Sequence, residues 1–222
     1  LQRIIDIVSE LDFVCSAVKV SNKYCYSRPI IKNNKKSTSF VDIKDIRHPI
    51  IEQIIDSEYI VNNINNTEKN GILLYGVNAS GKSSIIRALG CNIILAQAGL
   101  FVASKSFTYF PYKLLLSKIS CTDNLFKGQS TFISEALEIK NMVQRSDNRT
   151  LVLADELCAG TEGLSATSLV GSTILQLVKN KSSFMFSTHL HSLMDIECIK
   201  ECDKLSIKHF SIEVKNGDVV YN

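Results

Sequence analysis

The strongest constraint on what this chain can fold into lies at residues 71–84, where an apolar run meets a glycine-rich turn and then a helix-like segment. Ile72, Leu73, Leu74 and Tyr75 suit a short strand buried on both faces, as in a parallel sheet. Gly76 to Ser83 fit G-x-x-x-x-G-K-[ST], and Ser84 to Gly90 continue with helical character. The glycines let the backbone turn so that successive N–H groups converge, and the helix adds the positive end of its dipole at the same point. Such a loop is built to hold an anion. Lys82 can reach β- and γ-phosphates, and the Ser83 hydroxyl can ligate Mg²⁺. A chance glycine-rich turn would need neither the strand before it nor the helix after it. The expectation is a nucleoside triphosphate site, with Gly76, Ser80, Gly81, Lys82, Ser83 and Ser84 as its candidate contacts.

The rest of the chain alternates helix and strand patterns. Ile4, Ile5, Val8, Leu11, Val14, Cys15 and Val18 recur at helical spacing, so residues 1–20 predict one amphipathic helix that packs against something. Residues 32–39 are polar and form a plausible junction, after which Phe40 to Ile43 alternate as a strand. Helices are expected over Lys82–Gln97, 131–145 and Leu164–Lys179, and strands over 112–119, 151–154 and Ser183–Ser187. From Leu205 to Tyr221 the pattern alternates around Asn216-Gly217, a hairpin signal. Strands alternating with helices predict an α/β fold with a largely parallel central sheet flanked by helices.

Composition adds bounds. A chain of 222 residues suits one or two domains, and 45% hydrophobic with 21% charged residues is ordinary for a globular protein. A net charge of +3 does not by itself announce a nucleic-acid surface. No stretch has the length and apolarity of a membrane span, and no signal peptide is visible. The chain begins with Leu1 inside a helical pattern, as expected of an excerpt from a longer protein. Seven cysteines without framework spacing fit a reducing intracellular compartment, which could be cytoplasm, nucleus, organelle or viral factory. His189, His191, Cys198 and Cys202 match no familiar zinc spacing.

Two further constellations carry chemistry. The apolar strand 151–154 ends in Asp155-Glu156, the Walker B arrangement when a phosphate loop lies upstream. Asp155 would hold Mg²⁺, and Glu156 would act as general base toward the attacking water; alone, the pair could also be an acidic cap or a solvated turn. Ser187-Thr188-His189 closes the next apolar strand, where His189 could bond a γ-phosphate or the lytic water, or could simply be a satisfied strand-end histidine.

These blocks resemble the C-terminal ATPase domain of the MutS family of DNA mismatch-repair proteins. Arg47-His48-Pro49-Ile50-Ile51-Glu52 resembles the family's RHPxxE segment, and Gly76 to Ser84 its G-P-N-M-G-G-K-S-T loop, including Asn78. Ala96 to Val102 is similar to the A-x-x-G-x-[FY]-V run, Asp123 to Phe132 to D-D-L-x-x-G-x-S-T-F, Asp155 to Thr161 to D-E-I-G-R-G-T, and Ser187-Thr188-His189 to A-T-H. The blocks keep family order over roughly residues 40–195.

The resemblance implies a P-loop fold of the ABC-ATPase type over residues 39–222, preceded at 1–38 by the end of a helical lever or clamp region. It implies ATP and Mg²⁺ as cofactors, Asn78, Lys82 and Ser83 at phosphates and metal, and Asp155 and Glu156 at metal and water. It further implies His189 as γ-phosphate sensor, Tyr59 stacked on adenine, and Ser130 reaching across a dimer interface to the partner's nucleotide. The expected partners are a second copy or a paralogue through the ATPase face, and double-stranded DNA contacted mainly outside this chain. Several positions depart from the family pattern: Val77, Ala79 and Ser80 replace Pro, Met and Gly in the loop, and Ala159 and Glu162 replace Arg and Ser. These departures, with the abundance of Asn, Ile and Lys, are expected of a divergent viral or organellar lineage. Two other readings remain. A chromosome-maintenance ATPase would carry an LSGGQ-type signature where this chain has Lys127 to Phe132; an interaction module without turnover would not need Lys82, Asp155, Glu156 and His189 together.

Overall fold

The computed structural model describes residues 1–32, 37–77, 80–119, 131–158, 163–210, 212–215 and 218–221. The first half runs α1 (Gln2–Lys23), β1 (Ile30–Ile31), β2 (Phe40–Ile46), α2 (Ile51–Ile54), β3 (Asn62–Asn65), β4 (Gly71–Gly76) and α3 (Lys82–Gln97). The second half runs β5 (Ser106–Phe110), β6 (Leu114–Lys118), α4 (Thr131–Arg145), β7 (Thr150–Asp155), α5 (Gly163–Lys179) and β8 (Ser183–Ser187). A 3-10 turn at His191–Asp195, α6 (Glu197–Lys200), β9 (Leu205–Phe210), β10 (Ile212–Lys215) and β11 (Asp218–Tyr221) complete it.

The apolar run 72–75 becomes the strand its composition demands. Every residue of β4 is buried, as is every residue of β8, and these two pair in the middle of a five-stranded sheet ordered β6-β7-β8-β4-β9. All four pairings in that sheet are parallel. Continuous apolar runs without alternation are what a sheet covered on both faces requires. On one face α4, α5 and α6 pack through Ile139, Met142, Val170, Ile174 and Ile199. On the other lies α3, covered in turn by a second sheet through Val41, Ile43, Phe107 and Tyr109.

That second sheet, ordered β1-β5-β2-β3, goes beyond the single central sheet expected from sequence. It is mixed: β1 runs parallel to β5, while β2 is antiparallel to both β5 and β3. Fully buried Asn92 ties α3 to the segments beside this sheet, donating to the Arg47 carbonyl at 3.0 Å and accepting from the Ala103 N–H at 2.7 Å. A buried amide with both ends satisfied fixes orientation as well as distance.

Three expectations change. The first helix forms, but no residue of α1 is buried, and Ile4, Val8, Leu11 and Val18 stay exposed. Its apolar stripe therefore has no cover among the described residues. In the tail, Leu205–Phe210 is no hairpin arm; it joins the main sheet parallel to β4, and only β10 and β11 form the antiparallel pair. Alternation marks a half-covered strand, and an edge strand of a parallel sheet satisfies it equally well. The strand expected at 112–119 is shorter, Leu114–Lys118. Among the described residues, no helix is long and apolar enough to cross a membrane.

Close packing sets a measurable limit at Gly71, where a Cβ would lie 2.1 Å from Cζ of the buried Phe184 ring on β8. Gly71→Ala is expected to destabilise the fold by about 2 kcal/mol, an overpacking cost in a dense core. That corresponds to a fall of roughly 4–8 °C in Tm for a chain of this size, read by a calorimetric melt. An unchanged Tm would mean that Phe184 has room to turn away.

Candidate functional site

The parallel sheet presents the carboxyl ends of β4, β7 and β8 at one edge, the place where open α/β sheets bind ligands. Register makes the alignment explicit: Leu74 pairs with Ser187, and Ser187 with Asp155. The loop leaving β4 therefore emerges beside the residues that end β7 and β8.

The loop needs its glycines. Gly76 has φ +151, and a Cβ there would meet the Phe210 carbonyl oxygen at 2.9 Å. Gly81, the N-cap of α3, has φ +97, a conformation that side chains disfavour. Lys82 follows as the first residue of α3 and is 4% exposed. Its ammonium donates to the carbonyls of Gly76 at 2.7 Å and Val77 at 2.8 Å, so the lysine lies folded across the loop. Burial lowers its pKa, while the carboxylates of Glu156 and Asp155 oppose that shift. Asn78 and Ala79 lie outside the described residues.

At the neighbouring strand ends, the buried Ser187 hydroxyl donates to Asp155 Oδ1 and accepts from the Glu156 N–H at 3.0 Å. One serine thus positions both members of the acidic pair. Glu156 sits at φ +54, left-handed for a residue with a side chain, a strain that concentrates at functional sites. Its Oε1 lies 2.6 Å from Nε2 of His189, joining the candidate base to the candidate phosphate sensor.

Two adjoining cavities meet at the loop. One, of about 280 Å³, is lined by Ser80, Gly81, Lys82, Ser83, Arg87 and Glu156. The other, of about 440 Å³, is walled by Ile51, Ile55, Tyr59, Ile60, Ile85 and Phe210, with polar atoms at Glu58, Asn62 and Ser84. They share Ile51, Ser80, Gly81 and Ser84, so one elongated ligand can occupy both. The first is lined by two cations and several polar groups; the second is apolar with an aromatic face. The Tyr59 hydroxyl is 3.3 Å from Ser84 Oγ, which pins the ring to α3.

Predicted residues are thus largely brought together. Ser80, Gly81, Lys82, Ser83, Ser84 and Glu156 line one cavity, with Gly76 as acceptor for Lys82, and Tyr59 lines the next. Asp155 and His189 join through Ser187 and Glu156. Ser130 lies outside the described residues. Sequence reasoning gave no role to Ser187, Arg87 or Phe210; for Arg87 the i+4 spacing from Ser83 was the available signal. For a divalent cation, the Ser83 hydroxyl and the Asp155 carboxylate are hard oxygen donors of the right kind.

A family model described as MutS domain V matches residues 72–222. The chain belongs to the MutS family. It is 36% identical over 196 residues, 87% of its length, to a mitochondrial DNA mismatch repair protein mutS homolog of Sarcophyton glaucum. It is 32% identical over 225 residues to the DNA mismatch repair protein MutS of Bacillus mycoides, and 33% identical over 224 to that of Listeria welshimeri, both matches covering the whole chain. The chain spans 20%, 24% and 25% of the length of these three MutS relatives.

Proposed function

We propose that this chain is the ATP-binding and hydrolysing part of a MutS-like DNA mismatch-repair protein. Residues 39–222 form the P-loop, ABC-type ATPase domain, and 1–38 the end of a helical lever or clamp region. The observation that carries the reading is the meeting of Lys82, Ser83 and Glu156 in one cavity at the carboxyl edge of a parallel sheet, beside a second cavity faced by Tyr59.

The residues divide the work. Lys82 exchanges its two neutral carbonyl partners for phosphate oxygens, replacing ordinary hydrogen bonds by charge-assisted ones. Tyr59 supplies a ring face for a purine, and Ile51, Ile55, Ile60 and Phe210 exclude water around it. Glu156 accepts the proton of the attacking water on its carboxylate, with His189 Nε2 holding Oε1 in place. Ser83 and Asp155 would hold Mg²⁺, which when bound neutralises phosphate charge. Ser187 keeps Asp155 aimed and the Glu156 backbone anchored. Catalysis by such a site is positioning and electrostatics. Ser130 completes a partner's site in a dimer, and double-stranded DNA is gripped by parts of the protein outside this chain.

Equilibrium titration with a fluorescent ATP analogue tests the reading, with displacement by unlabelled ATP. Absence of saturable, displaceable binding would overturn it. Within the same assay Tyr59→Ala is expected to weaken binding about tenfold, since aromatic–base stacking contributes about 1–3 kcal/mol. Tyr59→Phe keeps the ring and loses only the bond to Ser84, about 1 kcal/mol at most. Equal losses for the two variants would place the base elsewhere.

A further inference from the structure

Arg87 stands on α3 one turn after Ser83. Helical side chains lean toward the helix N-terminus, and i,i+4 positions share a face, so a guanidinium at 87 reaches back over the turn that carries Ser83. It lines the cavity of Lys82, Ser83 and Glu156 but not the neighbouring cavity faced by Tyr59. That assigns it to the end of the site away from the base. Arg87 is exposed, and no carboxylate forms an ion pair with it among the described residues. His48, whose pKa burial and the Arg87 charge both lower, is a buried histidine whose Nδ1 accepts from the N–H groups of Ile50 and Ile51, and it cannot act as a counter-anion. A planar cation with five donors therefore lines the polar cavity without being ion-paired to a carboxylate among the described residues, Glu156 on the same cavity included.

We propose that Arg87 contacts the terminal phosphate of a bound nucleoside triphosphate and makes the site favour triphosphate over diphosphate. The inference rests on the ATP-site reading and adds a discriminating residue to it. Lys82 and the loop N–H groups are shared by both nucleotides, whereas a group at the far end of the cavity meets only the longer ligand. A fork that grips two oxygens of one phosphate also explains why an arginine, not a lysine, suits the position.

The test is calorimetric titration of the full chain with Mg-ATP and Mg-ADP, comparing wild type, Arg87→Ala, Arg87→Lys and Lys82→Ala. Arg87→Ala is expected to weaken ATP tenfold or more and ADP less than twofold, as befits one lost charge-assisted contact. Arg87→Lys should fall between, keeping charge without the fork. Equal weakening of both nucleotides by Arg87→Ala, or none for ATP, overturns the proposal. A wild-type chain that binds neither nucleotide overturns the ATP-site reading itself, a result distinct from failure at Arg87. Exposure predicts a melt like wild type for Arg87→Ala; were it to melt early, Arg87→Gln carries the same comparison.

Discussion

Lys82→Ala is expected to lower ATP affinity by about 10²–10³-fold and to abolish hydrolysis with it. The ammonium has two well-placed carbonyl acceptors in the loop and would trade them for phosphate oxygens. Two charge-assisted bonds at about 1.5–3 kcal/mol each, less the ordinary bonds given up, account for a loss of that size. The variant also strips the Gly76 and Val77 carbonyls of their donor; water replaces it at exposed Val77, while at buried Gly76 the loss costs about 1–3 kcal/mol. A melt lowered by no more than that, with binding lost, separates a site effect from unfolding. ATP affinity within threefold of wild type would remove Lys82 from the phosphates.

Glu156→Gln should act on turnover and leave binding in place. The amide cannot take a proton from water, so phosphate release is expected to fall about 10²–10⁴-fold, the usual contribution of a positioned general base. Its carbonyl oxygen can still accept from His189 Nε2–H, which keeps the 2.6 Å contact and the local geometry. ATP should then bind as tightly as to wild type, or more tightly because a half-exposed negative charge beside the phosphates is gone. Unchanged phosphate release would sink Glu156 as the base. Because Ser130 is expected to act on a partner's nucleotide, the comparison belongs to the ratio between variant and wild type at one protein concentration.

Much of this arrangement was legible in the chain. The loop, the strand before it and the helix after it are local: apolar run, glycine spacing and helical continuation lie within residues 71–97, and α3 occupies Lys82–Gln97 as expected. The acidic pair and the histidine end neighbouring parallel strands, so strand order alone brings them to one edge. What was not legible depends on long-range pairing. Residues 106–110 and 40–46 build a second sheet because their alternating apolar faces meet the outward face of α3, a partner remote in sequence. Leu205–Phe210 was misassigned because alternation records one covered face and not the direction of the neighbour. Ser187 and Arg87 escaped notice for a related reason: a serine and an arginine acquire meaning from what stands across from them, Asp155 in one case and an open polar cavity in the other.

The placement of α3 between two sheets has a mechanical corollary. Ile86, Ala88, Leu89, Asn92 and Ile93 are held on both sides, and the Asn92 bonds lock the helix against sliding. The element that carries Lys82, Ser83 and Arg87 is thus held more firmly than the walls around it. Displacement on binding is left to the thinner walls: the single turn α2, the stretch through Tyr59, and the strained turn at Glu156. A ligand seated at this site would meet its most yielding contacts at the rim, not at the centre.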